Sequence, residues 1–283
     1  MSRMKKVLKF VKGKRDDRRE RVSPNTALSS SENLHSPTEI MTLGDGIEAC
    51  DGQKYYLDIS GRDKSVTKLH KAAWQGNLDK VKAVMKKADI DIPDKFNRTP
   101  LHLAAACGHN SVVHFLITNN ARMDIRDSEG KTPLLKAAEC GQKEVIVTLL
   151  DRGGDLHSVD FEGNSPLHLS VKNCFYDLSV LLLKKGANFE LPNKDGDIPL
   201  HVATAVEQSD IVELLLRYGS DVNVLSGDMT PLMIAARVGN ADLVKLFLDY
   251  GADCRLKDVN GNAKTSDFYV EKSTTRFHIL RNV

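Results

Sequence analysis

Nine histidines are the residues of this 283-residue chain that most invite a metal or catalytic interpretation. Four of them, His70, His102, His168 and His201, hold the same place in a repeated tetrapeptide. If that repeat reflects stacked helices about 8–10 Å apart, equivalent imidazoles cannot share a metal whose bonds are about 2 Å long. We therefore expect these histidines to make structural hydrogen bonds, and we predict no metal site.

Cysteines and sequence motifs give no stronger sign of catalysis. The five cysteines form no CxxC pair and cannot all pair with one another, so we expect reduced thiols in an intracellular, cytoplasmic protein. The chain has no GxxxxGK[ST], GxGxxG, GxSxG or HExxH motif. We predict that it is not an enzyme and binds no cofactor.

The elements that position these residues follow from a tetrapeptide of the Thr-Pro-Leu-His type. Its six copies, separated by 32 or 33 residues, begin at Thr67, Thr99, Thr132, Ser165, Ile198 and Thr230. A hydroxyl suits the N-cap of a helix, and proline suits the first helical position, where a missing N–H costs nothing. A second apolar stretch completes each period. This pattern predicts stacked pairs of helices joined by turns.

Two copies depart from the pattern at the end of the first helix. Gly76, Gly108, Gly141 and Gly239 stand where a left-handed residue is wanted. The fourth and fifth copies carry Asn173-Cys174 and Val206-Glu207 instead. Because a non-glycine residue in the left-handed region costs about 1 kcal/mol or more, we expect local strain there.

The stretches Thr99-Pro-Leu-His-Leu-Ala-Ala-Ala-Cys-Gly108 and Gly251-Ala-Asp253 resemble the ankyrin repeat over about residues 65–280. The resemblance implies an all-α fold, an ankyrin-repeat solenoid of paired antiparallel helices with hairpin-like fingers. It implies about six full repeats and a partial C-terminal one. Residues 54–73 and the start Met4-Lys-Lys-Val7 resemble, in addition, the POTE-like ankyrin-repeat family.

The predicted domain boundaries follow the repeat. Residues 1–60 are predicted to be a disordered basic arm and linker, and residues 61–283 an ankyrin-repeat domain. The repeats are placed near 65–96, 97–129, 130–162, 163–195, 196–227 and 228–260, with a partial cap at 261–283.

The arm leaves three interpretations open. Residues 1–22 hold ten Lys/Arg and three acidic residues, and their apolar residues fall at helical spacing. They could adsorb to an anionic membrane surface as a basic amphipathic helix, act as a nuclear import signal, or be a solvated tail. Ser23 and Ser36 precede prolines and are candidate phosphorylation sites. A membrane-peripheral or partly nuclear location is therefore an alternative to the cytoplasm.

Charge excludes one class of partner for the main body. Since the whole chain carries +2 and residues 1–22 carry +7, the remainder carries −5. We therefore expect no nucleic-acid binding. The expected function is a non-catalytic protein–protein interaction scaffold or adaptor. The alternatives are a membrane-peripheral regulator and a nuclear ankyrin cofactor.

In ankyrin-like proteins the finger tips and first helices line a groove that recognises proteins, and the resemblance implies such a groove here. The partner-binding residues predicted on it are Lys71, Trp74, Phe96, Arg98, Lys131, Lys136, Glu139, Phe161, Lys172 and Arg237. Burial of Trp74 against an N-terminal cap is the alternative for that residue. The pattern Leu215…Asp221-Val-Asn223 also resembles asparagine-hydroxylation sites of ankyrin repeats, which makes Asn223 a candidate modification site.

Overall fold

The computed structural model describes residues 63–256 and, before them, the backbone of three short strands. Strands β1 (Ile40–Leu43), β2 (Ile47–Cys50) and β3 (Tyr56–Asp58) form an antiparallel sheet in the order β1-β2-β3. Ile40 pairs with Cys50 in this sheet, and Ile47 pairs with Asp58. These strands were not predicted, since the stretch was expected to be a linker. Residues 1–39 and 257–283, with Ser23, Ser36 and the predicted partial cap, lie outside the described residues.

Within residues 63–256 the structure has twelve α-helices arranged as six pairs. The first helices of the pairs are α1 (Lys68–Trp74), α3 (Pro100–Ala106), α5 (Pro133–Glu139), α7 (Pro166–Lys172), α9 (Pro199–Ala205) and α11 (Pro231–Val238). The second helices are α2 (Leu78–Met85), α4 (Asn110–Thr118), α6 (Lys143–Asp151), α8 (Tyr176–Lys184), α10 (Ser209–Arg217) and α12 (Ala241–Asp249). The predicted fold class is confirmed.

The predicted caps explain where the first helices begin. Thr67, Thr99, Thr132, Ser165 and Thr230 are N-cap residues whose hydroxyls accept from a backbone N–H of the first turn. From the second pair onward a proline follows at the first helical position. Each cap satisfies a donor that the helix leaves unpaired.

Two compact units divide these helices. The N-terminal unit holds the first four helix pairs and the sheet, and the C-terminal unit holds the last two pairs. Inside each unit, neighbouring first helices pack on one another through buried leucines and alanines, such as Leu101, Ala104 and Ala105. Small side chains let these helices approach closely. No helix among the described residues is both long enough and apolar enough to cross a membrane.

The backbone is left-handed at the two positions where the repeat lacks its usual glycine. Cys174 and Glu207 adopt φ angles of 64° and 59°, in the left-handed region that Gly108 and Gly141 occupy in earlier pairs. The left-handed conformation expected at these two positions is confirmed, and the expectation that it weakens this part of the stack stays a prediction.

The expectation of five reduced cysteines is wrong for Cys107, which is disulfide-bonded. Cys140 carries a thiol whose pKa is raised to about 12, because burial disfavours the thiolate.

Candidate interaction surface

Three hairpin turns of the N-terminal unit present the candidate surface. We call residues 94–98 finger one, 127–131 finger two and 160–164 finger three. Each begins with an aspartate whose Oδ1 accepts from two backbone N–H groups of the same turn. In finger one Asp94 Oδ1 accepts from Phe96 and Arg98, both at 2.9 Å. Asp127 and Asp160 make the equivalent pairs of bonds. These bonds give the three fingers the same backbone conformation.

Backbone hydrogen bonds join each finger to the next. Ser128 N–H donates to Phe96 O at 2.8 Å, and Phe161 N–H donates to Glu129 O at 3.1 Å. Arg126 adds a further link, since its Nη1 donates to Gly130 O and Val159 O at 2.8 and 2.5 Å. The finger tips therefore form one continuous edge.

Buried histidines hold the fingers against the helices, as the sequence indicated. His102 Nδ1 bonds the Thr99 hydroxyl at 2.9 Å, and its Nε2 donates to Lys131 O at 3.0 Å. His70 makes the equivalent bond to Arg98 O at 3.0 Å. Burial lowers the pKa of His102 to about 4, so this imidazole is neutral at pH 7. A neutral ring with its proton on Nε2 fits both contacts.

Finger one exposes Phe96, as the sequence predicted, with 45% of the residue accessible. Two cations of the same finger approach its ring: Arg98 Cζ at 4.9 Å and Lys95 Nζ at 5.1 Å from the centroid. The Arg98 side chain is itself buried and bonds Asp94 Oδ2 through Nε and Nη2 at 2.7 and 2.6 Å. The guanidinium predicted to contact a partner is therefore buried and already paired within the finger, and the partner-binding role of Arg98 stays a prediction.

Finger three exposes Phe161 to a greater extent, at 57%. The ring lies on the backbone of Gly130 in finger two, where an added Cβ would come 2.5 Å from the Phe161 Cδ1. Gly130 also has a φ of 76°. Glycine is therefore favoured here for two reasons: a Cβ would clash with the ring, and the backbone is left-handed. Glu129 precedes that glycine, and Glu162 follows Phe161. Their side chains are 58% and 77% exposed.

Finger two and the helix that follows it carry a group of paired charges, which we call the ion cluster: Asp127, Glu129, Lys131, Lys136 and Glu139. Lys131 Nζ lies 2.9 Å from Glu129 Oε2 and 2.6 Å from Glu139 Oε1. Lys136 Nζ lies 2.9 Å from the Oε2 atoms of the same two glutamates and 3.5 Å from Asp127 Oδ2. Partial burial raises the pKa of Glu129, but hydrogen bonds from both lysines outweigh it and bring that pKa to about 2.

Lys131 and Lys136 were predicted as exposed partner-binding residues, and the structure places both inside the ion cluster, so their role in partner binding stays a prediction. Both are buried, and their ammonium groups are taken up by carboxylates of the chain. Glu139 is half-buried in the same network. The exposed charge that the cluster offers to a partner is Glu129.

Trp74 was predicted on the surface and is fully buried, which corrects that assignment. It packs with Val66, Leu103, Ala106 and Cys107. Its carbonyl accepts from His109 Nε2 at 2.8 Å. Trp74 therefore stabilises the contact between the first two helix pairs.

The other predicted residues are spread over both units. Lys71 is half-buried on α1, and Lys172 is half-buried with its Nζ 4.0 Å from Glu162 Oε2. Arg237 is exposed in the C-terminal unit, where Nη1 contacts Met229 Sδ at 3.2 Å. Asn223, in the same unit, accepts from Asp253 N–H at 2.8 Å through Oδ1. Its modification stays a prediction.

Sequence reasoning missed Glu162. The signal was available, because counting back three residues from each N-cap aligns Phe96, Glu129 and Glu162. These three positions follow one another along the row of fingers. The surface therefore combines two exposed rings with two exposed carboxylates.

Comparison with known proteins agrees with this architecture. The family model described as ankyrin repeats matches in three copies, over residues 69–160, 149–226 and 167–258. The human ankyrin repeat domain-containing protein 7 is 49% identical over 63 residues, which are 22% of this chain and 25% of that protein. The match thus spans about a quarter of that relative. The crystal structure of the human ASB11 ankyrin repeat domain aligns with a TM-score of 0.64 and 26% identity, over 74% of this chain and all of that one.

Proposed function

Since the chain belongs to the ankyrin-repeat family, we propose that it is a non-catalytic scaffold or adaptor that binds partner proteins through the fingers of its N-terminal unit. Ankyrin repeats are protein–protein interaction modules.

The observation that carries the proposal is the pair of phenylalanines on the finger tips. Phe96 and Phe161 are exposed on two turns that are each joined by a backbone hydrogen bond to finger two, which lies between them. Aromatic side chains on a preorganised surface are typical anchors of protein interfaces, because little conformational entropy is lost on binding. The exposed carboxylates around them supply the polar rim that such interfaces have.

Affinity capture with the full chain tests the proposal. We compare the wild type with a Phe96→Ala, Phe161→Ala double variant and with a Tyr176→Ala control. Tyr176 is also an exposed aromatic of the N-terminal unit, but it begins the second helix α8 and lies off the fingers. We expect the double variant to lose partners that the control retains, with equal helical circular dichroism in all three proteins. Retention of every captured protein by the double variant would refute the assignment.

For location we propose the cytoplasm, with residues 1–22 as a basic address for an anionic membrane surface. The composition of that segment supports this proposal. Deleting residues 1–22 should change the distribution of the protein in cells while partner capture persists. Loss of the captured partners on deletion would show that the arm belongs to the binding surface.

A further inference from the structure

The rings of fingers one and three differ in what already lies over them. Lys95 and Arg98 lie over Phe96. Among residues 63–256 no lysine or arginine lies over Phe161. Finger three thus has the aromatic ring of finger one without its cations.

Phe161 has two exposed carboxylates beside it, and the nearby cations make other contacts: Lys172 pairs with Glu162, and Arg126 bonds the carbonyls of Gly130 and Val159. Glu129 and Glu162 flank Phe161 along the chain and across the finger contact. Both lysine contacts of Glu129 go to Oε2, which leaves Oε1 without a donor among the described residues. The pKa of about 2 keeps Glu129 ionised at any physiological pH. An open ring beside two carboxylates is the chemistry that recognises a cation.

We propose that finger three receives a lysine or arginine side chain of a partner protein, with the cation on the Phe161 ring and hydrogen-bonded to Glu129 or Glu162. This inference rests on the proposed function and names the chemistry of the partner. The net charge of −5 outside residues 1–22 favours the same sign of ligand.

Preorganisation makes the site suited to a side chain on an extended segment. The Phe161 ring is supported by Gly130, and the Phe161 N–H is held by Glu129 O. The ring and the Glu129 carboxylate therefore come to the ligand already placed. A row of finger tips that exposes side chains along one edge fits a polypeptide lying across it.

The test is a titration of the full chain with three synthetic peptides, followed by the backbone amide signals of Gly130 and Phe161 in nuclear magnetic resonance spectra. The peptides are nine-residue Gly/Ser sequences that differ at the central position, which is arginine, lysine or citrulline. Citrulline has the shape of arginine without its charge. We expect the arginine and lysine peptides to shift these signals and the citrulline peptide to leave them in place.

Matched variants assign the effect to the ring and to the charge. Phe161→Leu keeps an apolar side chain and removes the ring, and Glu162→Gln removes an exposed charge without disturbing the core. Each should weaken arginine-peptide binding by about three- to tenfold. Phe96→Leu should leave it unchanged. Equal binding of the citrulline peptide, or equal binding by Phe161→Leu, would overturn the inference.

The two proposals fail separately. If captured partners are lost with Phe96→Ala, Phe161→Ala but retained with Glu162→Gln and Phe161→Leu, the fingers bind proteins and the cation assignment is wrong. If the arginine peptide binds at finger three but the captured partners are insensitive to the finger variants, the scaffold proposal is wrong in its placement.

Discussion

Fingers one and three are built on the same backbone pattern and offer opposite surfaces. In finger one the order Lys95-Phe96-Asn-Arg98 surrounds the ring with cations that the chain itself supplies. In finger three Phe161-Glu162 puts the ring one position earlier, and Asn164 takes the place of Arg98. Asn164 bonds Asp160 Oδ2 at 3.2 Å, as the arginine bonds Asp94. The comparison teaches that an aromatic residue in a repeat defines a binding chemistry only together with its neighbours.

The ion cluster under finger two gives the largest expected effect. Lys136→Ala should lower the free energy of unfolding by about 3–5 kcal/mol, because it leaves buried carboxylates unneutralised. Denaturant unfolding followed by circular dichroism measures this. The variant should also affect the two fingers differently. The affinity for a cation should increase at finger three, where Glu129 loses a counterion, and should not change at finger one.

A double variant is the control for that result. Lys136→Leu, Glu139→Ala installs the residues that the second helix pair has at the equivalent places, Leu103 and Ala106. It should recover most of the lost stability, since removing both signs of charge leaves an apolar contact. A double variant as unstable as the single one would show that packing, and not charge, explains the loss.

Acid should weaken the attachment of the fingers to the helices. His102 has a folded pKa of about 4 against about 6.5 when unfolded. The stability that it contributes is fully present above pH 6.5 and is lost as the pH falls towards 4, on the order of 3 kcal/mol. The pKa values of His70 and His201 are lowered as well, mainly because both imidazoles are buried. Thermal melts at pH 7, 6, 5 and 4 should show this decline, and a flat profile would contradict it.

The helix pairs behind the two fingers differ at one left-handed residue. The second pair, behind finger one, has Gly108 there, and the fourth pair, behind finger three, has Cys174. Cys174→Gly should raise the free energy of unfolding by about 1 kcal/mol, because it relieves the strain of a Cβ in that region. Gly108→Ala is the reverse change and should be destabilising. If Cys174→Gly lowered stability, the contacts of that side chain would outweigh the strain.

The smallest expected effect on stability comes from changing Lys95 in finger one. Lys95 is exposed and pairs with Asp63 at 3.0 Å, so Lys95→Gln should change stability by less than about 0.5 kcal/mol. It also removes one of the two cations over Phe96. Titration with the arginine peptide should then show weak binding at finger one that the wild type lacks. If the arginine peptide does not bind, Arg98 alone is enough to cover the face of the Phe96 ring.

Local rules in the sequence predicted most of the fold. The caps, the structural histidines and the left-handed positions follow from chemistry within a few residues, so Thr99, His102 and Cys174 were placed correctly. Burial of Trp74 was not predictable in this way. Its indole fits because Ala106 of the next pair is small, and such a contact joins residues 32 positions apart.

The same limit applies to the candidate site. Lys136 occupies a place that is leucine in the neighbouring pairs, and a lone lysine there looks exposed. Its burial depends on carboxylates from a turn and a helix that converge only in three dimensions. Phe96 and Phe161 were predicted on the surface because turns rarely bury large rings, and both are exposed.

The hydrogen bonds between neighbouring turns run through main-chain atoms, from Ser128 N–H to Phe96 O and from Phe161 N–H to Glu129 O. Any amino acid other than proline can supply such a donor, and any residue supplies the acceptor. Substitution at a tip can therefore alter what the protein recognises without disturbing how it holds itself together. Mutation and selection can revise the ligand preference of this edge one residue at a time while the scaffold stays the same.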